Sequence, residues 1–132
     1  LNQCPQHFKP IFYKRYIDDT FVLFKEKHHA QLFLQYVNEF HSNIAFTMEA
    51  ESNNKLSFLD IAITRENYQF TTGIFRKKTF TGLGLNFFSY CPYMFKINSC
   101  KTHLSRAFSL TSNWVEFHKE LCFLVKIKFL KF

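Results

Sequence analysis

In Tyr13-Lys14-Arg15-Tyr16-Ile17-Asp18-Asp19-Thr20-Phe21-Val22-Leu23-Phe24, two adjacent carboxylates interrupt a run of aromatic and β-branched residues. Apolar runs on either side of Asp-Asp predict two strands and a tight turn over residues 11–25. Two like charges are poor core material, because burying an unpaired carboxylate is costly. At a hairpin tip they make a compact hard-oxygen site for a divalent cation such as Mg²⁺. The plainer alternative is a surface turn, where Asp is a favoured residue.

Working outward, Pro5 and Pro10 mark an irregular lead-in, and Glu26-Lys27-His28-His29 is a polar break. Phe33, Tyr36, Val37 and Phe40 then fall at helical spacing, with Leu32 beside them, and predict a helix over residues 28–41. His28 and His29 lie near its start. Adjacent helical residues point about 100° apart, so the two read as surface histidines, not as a metal pair. Ile44, Phe46 and Met48 alternate with Ala45, Thr47 and Glu49 and predict a half-buried strand. Glu51 to Lys55 is a turn, and the nearly continuous apolar run Leu56 to Thr64 reads as a central strand. Asp60 stands out in that run. It is either a bulge or strand end paired with Arg65 or Arg76, or a contact at an active-site rim. Tyr68, Phe70, Thr72 and Ile74 predict a further strand to Lys77, forming a hairpin with 56–65 across Asn67.

Two helices are expected from residues 96 to 130. One carries Ile97, Cys100, Leu104, Ala107 and Phe108 on a single face. The other carries Trp114, Phe117, Leu121, Leu124, Val125 and Lys128. Asn113 followed by Glu116 resembles a capping box at the start of the second. A helix pair with a short polar connection has a helix-turn-helix-like form, which does not by itself imply DNA reading. The expected fold class is α+β: a small antiparallel sheet from residues 11–25, 44–50 and 56–77, one packed helix, then the helix pair.

The chain has 132 residues, a net charge of +7, and nineteen Phe with six Tyr and one Trp. Its 47% hydrophobic and 20% charged content excludes a disordered chain. It begins at Leu1, not Met, and the expectation is a segment, or a chain whose start was not captured. No acid occurs between Glu66 and Glu116, an interval that holds Arg76, Lys77, Lys78, Lys96, Lys101 and Arg106. A basic, aromatic-rich interval suits a polyanion, most simply nucleic acid. The alternative is an ordinary solvated surface. Cys4, Cys91, Cys100 and Cys122 show neither Cys-x-x-Cys nor zinc-finger spacing, so no zinc is expected. Their scatter fits reduced thiols and an intracellular protein, nuclear or cytoplasmic. No apolar run reaches the roughly 18 residues of a membrane span, so no membrane partner is expected.

Arg15-Tyr16-Ile17-Asp18-Asp19, followed by Thr20 to Phe24, resembles the Tyr-x-Asp-Asp motif of reverse transcriptases. Three further stretches follow in order: Phe46-Thr47-Met48-Glu49, Leu56-Ser57-Phe58-Leu59-Asp60-Ile61, and Phe75-Arg76-Lys77-Lys78-Thr79-Phe80-Thr81-Gly82 with Leu85-Asn86-Phe87. The ordered set resembles the reverse transcriptases of Penelope-like retroelements, from residue 11 to the end. The resemblance implies Asp18 and Asp19 as catalytic metal ligands for Mg²⁺ or Mn²⁺, with Tyr16 near the primer end. It implies primer and template contacts along the basic interval, with Arg76, Lys77, Lys78, Lys101 and Arg106 as the expected nucleic-acid-binding residues. Residues 1–80 would be the C-terminal part of the palm with its primer-grip hairpin, and residues 81–132 a truncated thumb-like helical region. The sequence contains no counterpart of the fingers, of the first half of the palm or of the strand bearing the other catalytic aspartate. The expectation is therefore a fragment of an RNA-directed DNA polymerase, inactive alone, acting on an RNA template and DNA primer. The alternative is a non-catalytic nucleic-acid-binding module of helix-turn-helix type.

Overall fold

The computed structural model describes residues 4–82, 84–86 and 88–128. The fold is α+β, with two antiparallel sheets and three α-helices among the described residues. The chain divides into two compact units, Leu1–Ala50 and Glu51–Phe132. The division falls between Ala50 and Glu51, so the residues just before and just after residue 80 lie in the same unit.

In the first unit, β1 (Phe12–Tyr16) and β2 (Asp19–Leu23) form the expected hairpin. Its register runs from Phe12↔Leu23 to Tyr16↔Asp19, leaving Ile17 and Asp18 as a two-residue turn. Strand faces alternate with period two. One face carries Tyr13, which packs against the core; the other carries Phe12, Tyr16, Asp19 and Phe21. Phe12 and Phe21 meet edge-on at 6.3 Å on that outer face. α1 (Lys27–Asn38) supplies Phe33 to a small core with Cys4 and Phe8, flanked by Tyr13, Phe24, Tyr36 and Val37. Phe33 meets Phe24 at 5.4 Å and Tyr13 at 6.4 Å between ring centroids. Of the helical face read from the sequence, Phe33, Tyr36 and Val37 build this core, whereas Phe40 lies past the end of α1 and Leu32 and Phe40 are both exposed.

Residues 44–50 do not form the expected strand. Ile44, Phe46 and Met48 are all exposed. A strand needs a partner ladder, and here the place of that partner is taken by one side chain. The Asn38 amide donates to the Phe46 carbonyl at 3.1 Å, and the Phe46 N–H donates to Asn38 Oδ1 at 2.6 Å. This satisfies one residue's backbone groups, as a neighbouring strand would.

In the second unit, Leu56 to Thr64 is not one strand but a hairpin. β3 (Lys55–Phe58) and β4 (Ile61–Glu66) flank a two-residue turn of Leu59 and Asp60. β5 (Gln69–Ile74) pairs with β4 across Asn67 and Tyr68, giving the order β3-β4-β5 with β4 central. Leu59 takes φ +54°. A tight turn requires such a conformation, but Leu does not signal it in sequence, so the turn hides inside an apolar run. The Ser52–Lys55 turn is the conventional kind. Asn53 and Asn54 both have positive φ, and Ser52 and Lys55 exchange two backbone hydrogen bonds of 3.0 Å. Arg65 on β4 bonds Glu51 and Asn54, and the Glu51 hydrogen bond and charge hold its guanidinium above the ordinary arginine value.

α2 (Tyr93–Leu110) and α3 (Trp114–Lys128) form the expected helix pair. Pro92 precedes α2 with φ −53°, so the residue that interrupts the preceding aromatic stretch also begins the helix. At α3, Asn113 Oδ1 accepts from the Glu116 N–H at 2.8 Å, the first half of a capping box. Glu116 turns instead to Lys119. The turn between the helices covers the outer edge of β5: Ser112 N–H donates to the Thr72 carbonyl at 3.1 Å, and Thr72 N–H donates to Ser112 Oγ at 2.8 Å. An edge strand's free N–H and C=O are thus occupied.

The buried faces differ from those expected. Ala107 is buried on α2, but Cys100, Leu104 and Phe108 are exposed. α2 packs on β5 and α3, and at a close approach a methyl group fits where larger apolar side chains do not. On α3, Leu124 and Glu120 are buried, whereas Trp114 and Val125 face outward. The expected extension to residue 130, Phe87 of the Leu85-Asn86-Phe87 stretch and the Lys128 side chain lie outside the described residues.

Candidate functional site

The candidate site of the first unit is the tip of the β1–β2 hairpin. Asp18 is the second residue of the turn and Asp19 the first of β2; both are exposed. Neither carboxylate has a hydrogen bond or ion pair with another described residue. Tyr16 pairs with Asp19 across the ladder, so the two side chains share the outer face, with Tyr16 57% exposed.

The turn that presents them is unusual. Ile17 adopts φ +50°, where a β-branched residue is a true outlier, and is 70% exposed. The left-handed region costs an L-residue about 1–2 kcal/mol, so a local contact has to help hold it. That contact is Arg15, whose Nε donates to the Ile17 carbonyl at 2.7 Å. Arg15 thereby fixes the peptide between Ile17 and Asp18. Strain of this kind is characteristic of sites where one backbone geometry is needed. Two oxygen-only side chains with no competing protein partner have the donor chemistry that suits Mg²⁺ or Mn²⁺.

The basic residues belong to the second unit. Arg76, Lys77 and Arg106 line one cavity of about 310 Å³, together with Leu59, Asp60 and Phe80. Lys78 adjoins it in sequence and is exposed, while Lys101 is exposed on α2 a turn and a half before Arg106. Two of these cations already have carboxylate partners. Arg76 makes a two-pronged hydrogen bond to Glu120, and its guanidinium lies 3.8 Å from the Phe123 ring centroid and 5.5 Å from that of Phe80. Arg106 pairs with Asp60 at 2.8 Å. Asp60 is therefore a turn residue tied to α2, not the partner of Arg65 or Arg76. Lys77, Lys78 and Lys101 have no ion-pair partner among the described residues.

Two features escaped the reading of the sequence. Glu120 follows His118 and Lys119 on α3, and nothing nearby in sequence marks it as the partner of Arg76. Glu26, His28 and His29 converge at the start of α1, where side-chain torsions bring together rings that helix geometry alone would separate. All four cysteines are free thiols, with Cys4 buried and Cys100 and Cys122 exposed. No helix among the described residues is long and apolar enough to cross a membrane. Comparison of the chain with known protein families, curated proteins and solved structures finds no match.

Proposed function

We propose that this chain belongs to a metal-dependent nucleotidyl transferase, in which a pair of hairpin carboxylates carries the catalytic cations. The particular reading we favour is the C-terminal palm and part of the thumb of an RNA-directed DNA polymerase of the Penelope-like retroelement type. The observation that carries it is the hairpin tip: a strained two-residue turn, held by Arg15, that presents beside Tyr16 two carboxylates with no partner among the described residues.

In this reading Asp18 and Asp19 hold Mg²⁺ or Mn²⁺. When bound, such cations polarise the phosphoryl group and activate the attacking hydroxyl. The protein's own contribution is positional. Arg15 sets the turn, the ladder pair sets Tyr16 beside Asp19, and the exposed aromatic face of the hairpin leaves room for a primer terminus. The remaining catalytic carboxylate comes from palm residues outside this sequence. Lys77, Lys78 and Lys101, which have no ion pair among the described residues, neutralise backbone phosphates of the RNA template and DNA primer.

The test is primer extension on an RNA template by the polymerase carrying the rest of the palm. Asp18→Ala should abolish Mg²⁺-dependent synthesis, and substantial residual synthesis overturns the assignment. The second reading is nucleic-acid binding without catalysis, supported by Lys77, Lys78 and Lys101, which are exposed and have no ion pair among the described residues. It expects salt-dependent binding that survives loss of both aspartates, measured by filter binding of wild type and Asp18→Ala at two salt concentrations.

A further inference from the structure

We propose that Glu26, His28 and His29 form a surface site for a late first-row divalent cation, Zn²⁺ or Cu²⁺, which ties the residues before α1 to its first turn. One ligand atom from each side chain lies within 4.8 Å of the other two. His28 Nδ1 is 3.1 Å from Glu26 Oε2, and the two imidazole rings meet at 4.2 Å between centroids. Two imidazole nitrogens with one carboxylate oxygen are a donor set suited to Zn²⁺ and Cu²⁺, whereas Mg²⁺ and Ca²⁺ favour oxygen ligands. Metal–ligand bonds of about 2.0–2.2 Å require the three atoms to close in slightly. Glu26 and His28 are exposed and His29 half-buried, so the side chains have room to do so.

The backbone favours this arrangement. Glu26 is the N-cap residue of α1, yet its side chain makes no capping hydrogen bond and turns instead to His28 Nδ1, where a cation would take the place of the shared proton. The His29 N–H already bonds the Glu26 carbonyl at 3.2 Å, so the first turn is closed before any ion arrives. A cation here would supply the tie that the missing cap does not. Lys25, Lys27 and the positive end of the helix oppose it, which makes the site weaker than a closed structural zinc site. The cluster follows the far end of β2 from the Asp18–Asp19 tip, about 13 Å of strand away. It differs from that tip in cation chemistry and does not depend on the polymerase reading.

The test is titration of the whole chain with ZnSO₄, followed by NMR of the histidine rings and by calorimetry. The rings of His28 and His29 should shift together as the first equivalents bind, and MgCl₂ should leave them unmoved. The four free thiols also take up Zn²⁺, so the stoichiometry of wild type is compared with that of a variant carrying His28→Ala and His29→Ala. The variant should lose one equivalent, and Glu26→Gln should weaken that equivalent by about tenfold or more. Ring signals that stay fixed up to millimolar Zn²⁺, or equal stoichiometry in wild type and variant, overturn the proposal.

Discussion

The Arg76 guanidinium grips the Glu120 carboxylate with two hydrogen bonds and lies over the face of Phe123. Arg76 follows β5 and Glu120 lies on α3, so this pair joins sheet to helix inside the second unit. Glu120 is 6% exposed and the Arg76 side chain 23% exposed, so water reaches part of the guanidinium. Glu120→Ala leaves that guanidinium without its partner at the sheet–helix junction and should cost about 2 kcal/mol in urea denaturation. Replacing both residues with Leu should recover much of that loss, because an apolar pair has no charge to strand.

The hairpin tip depends on a weaker contact. Arg15→Ala removes the hydrogen bond to the Ile17 carbonyl and should lower local stability by about 1 kcal/mol. The effect should appear as faster hydrogen exchange of the hairpin amides, with α3 amides unchanged. Uniform acceleration across both elements would mean that Arg15 has no local role.

Two glycines should respond differently to an added methyl. Gly82 has φ +71°, and a Cβ there would stand 3.0 Å from Ile127 Cδ1. Backbone and packing both object, so Gly82→Ala should cost about 1–2 kcal/mol. Gly73 has an ordinary φ, and its Cβ would meet only the flexible end of Glu116, at 2.9 Å from Oε2. Gly73→Ala should cost less, roughly 1 kcal/mol or below. Paired thermal melts would rank the two.

The basic residues should separate by role. Lys77 and Lys78 are exposed and have no ion pair among the described residues, so each change to Ala should reduce the salt slope of nucleic-acid binding by about 1. Neither change should alter the melting temperature appreciably. Arg76→Ala should instead lower the melting temperature, because its guanidinium is engaged with Glu120. A salt slope unchanged by both lysine variants would remove these residues from the interface.

The sequence alone determined the elements whose signal is local. Aromatic and β-branched runs around Asp18-Asp19 define the hairpin. The spacing of Phe33, Tyr36 and Val37 defines α1, and Asn113 before Glu116 marks the start of α3. Each depends on periodicity or on a cap within a few residues. Tertiary structure decided whatever required a partner distant in sequence. Residues 44–50 alternate like a strand, but a strand exists only where a ladder meets it, and Asn38 satisfies Phe46 instead. Leu56 to Thr64 reads as one strand until Leu59 takes a left-handed turn that folds β4 back on β3. Asp60 had two nearby candidates for pairing, Arg65 and Arg76, yet Asp60 and Arg76 each found a partner on a helix some 45 residues on. Charge and hydrophobicity state what a side chain needs; only packing brings within reach the group that meets the need.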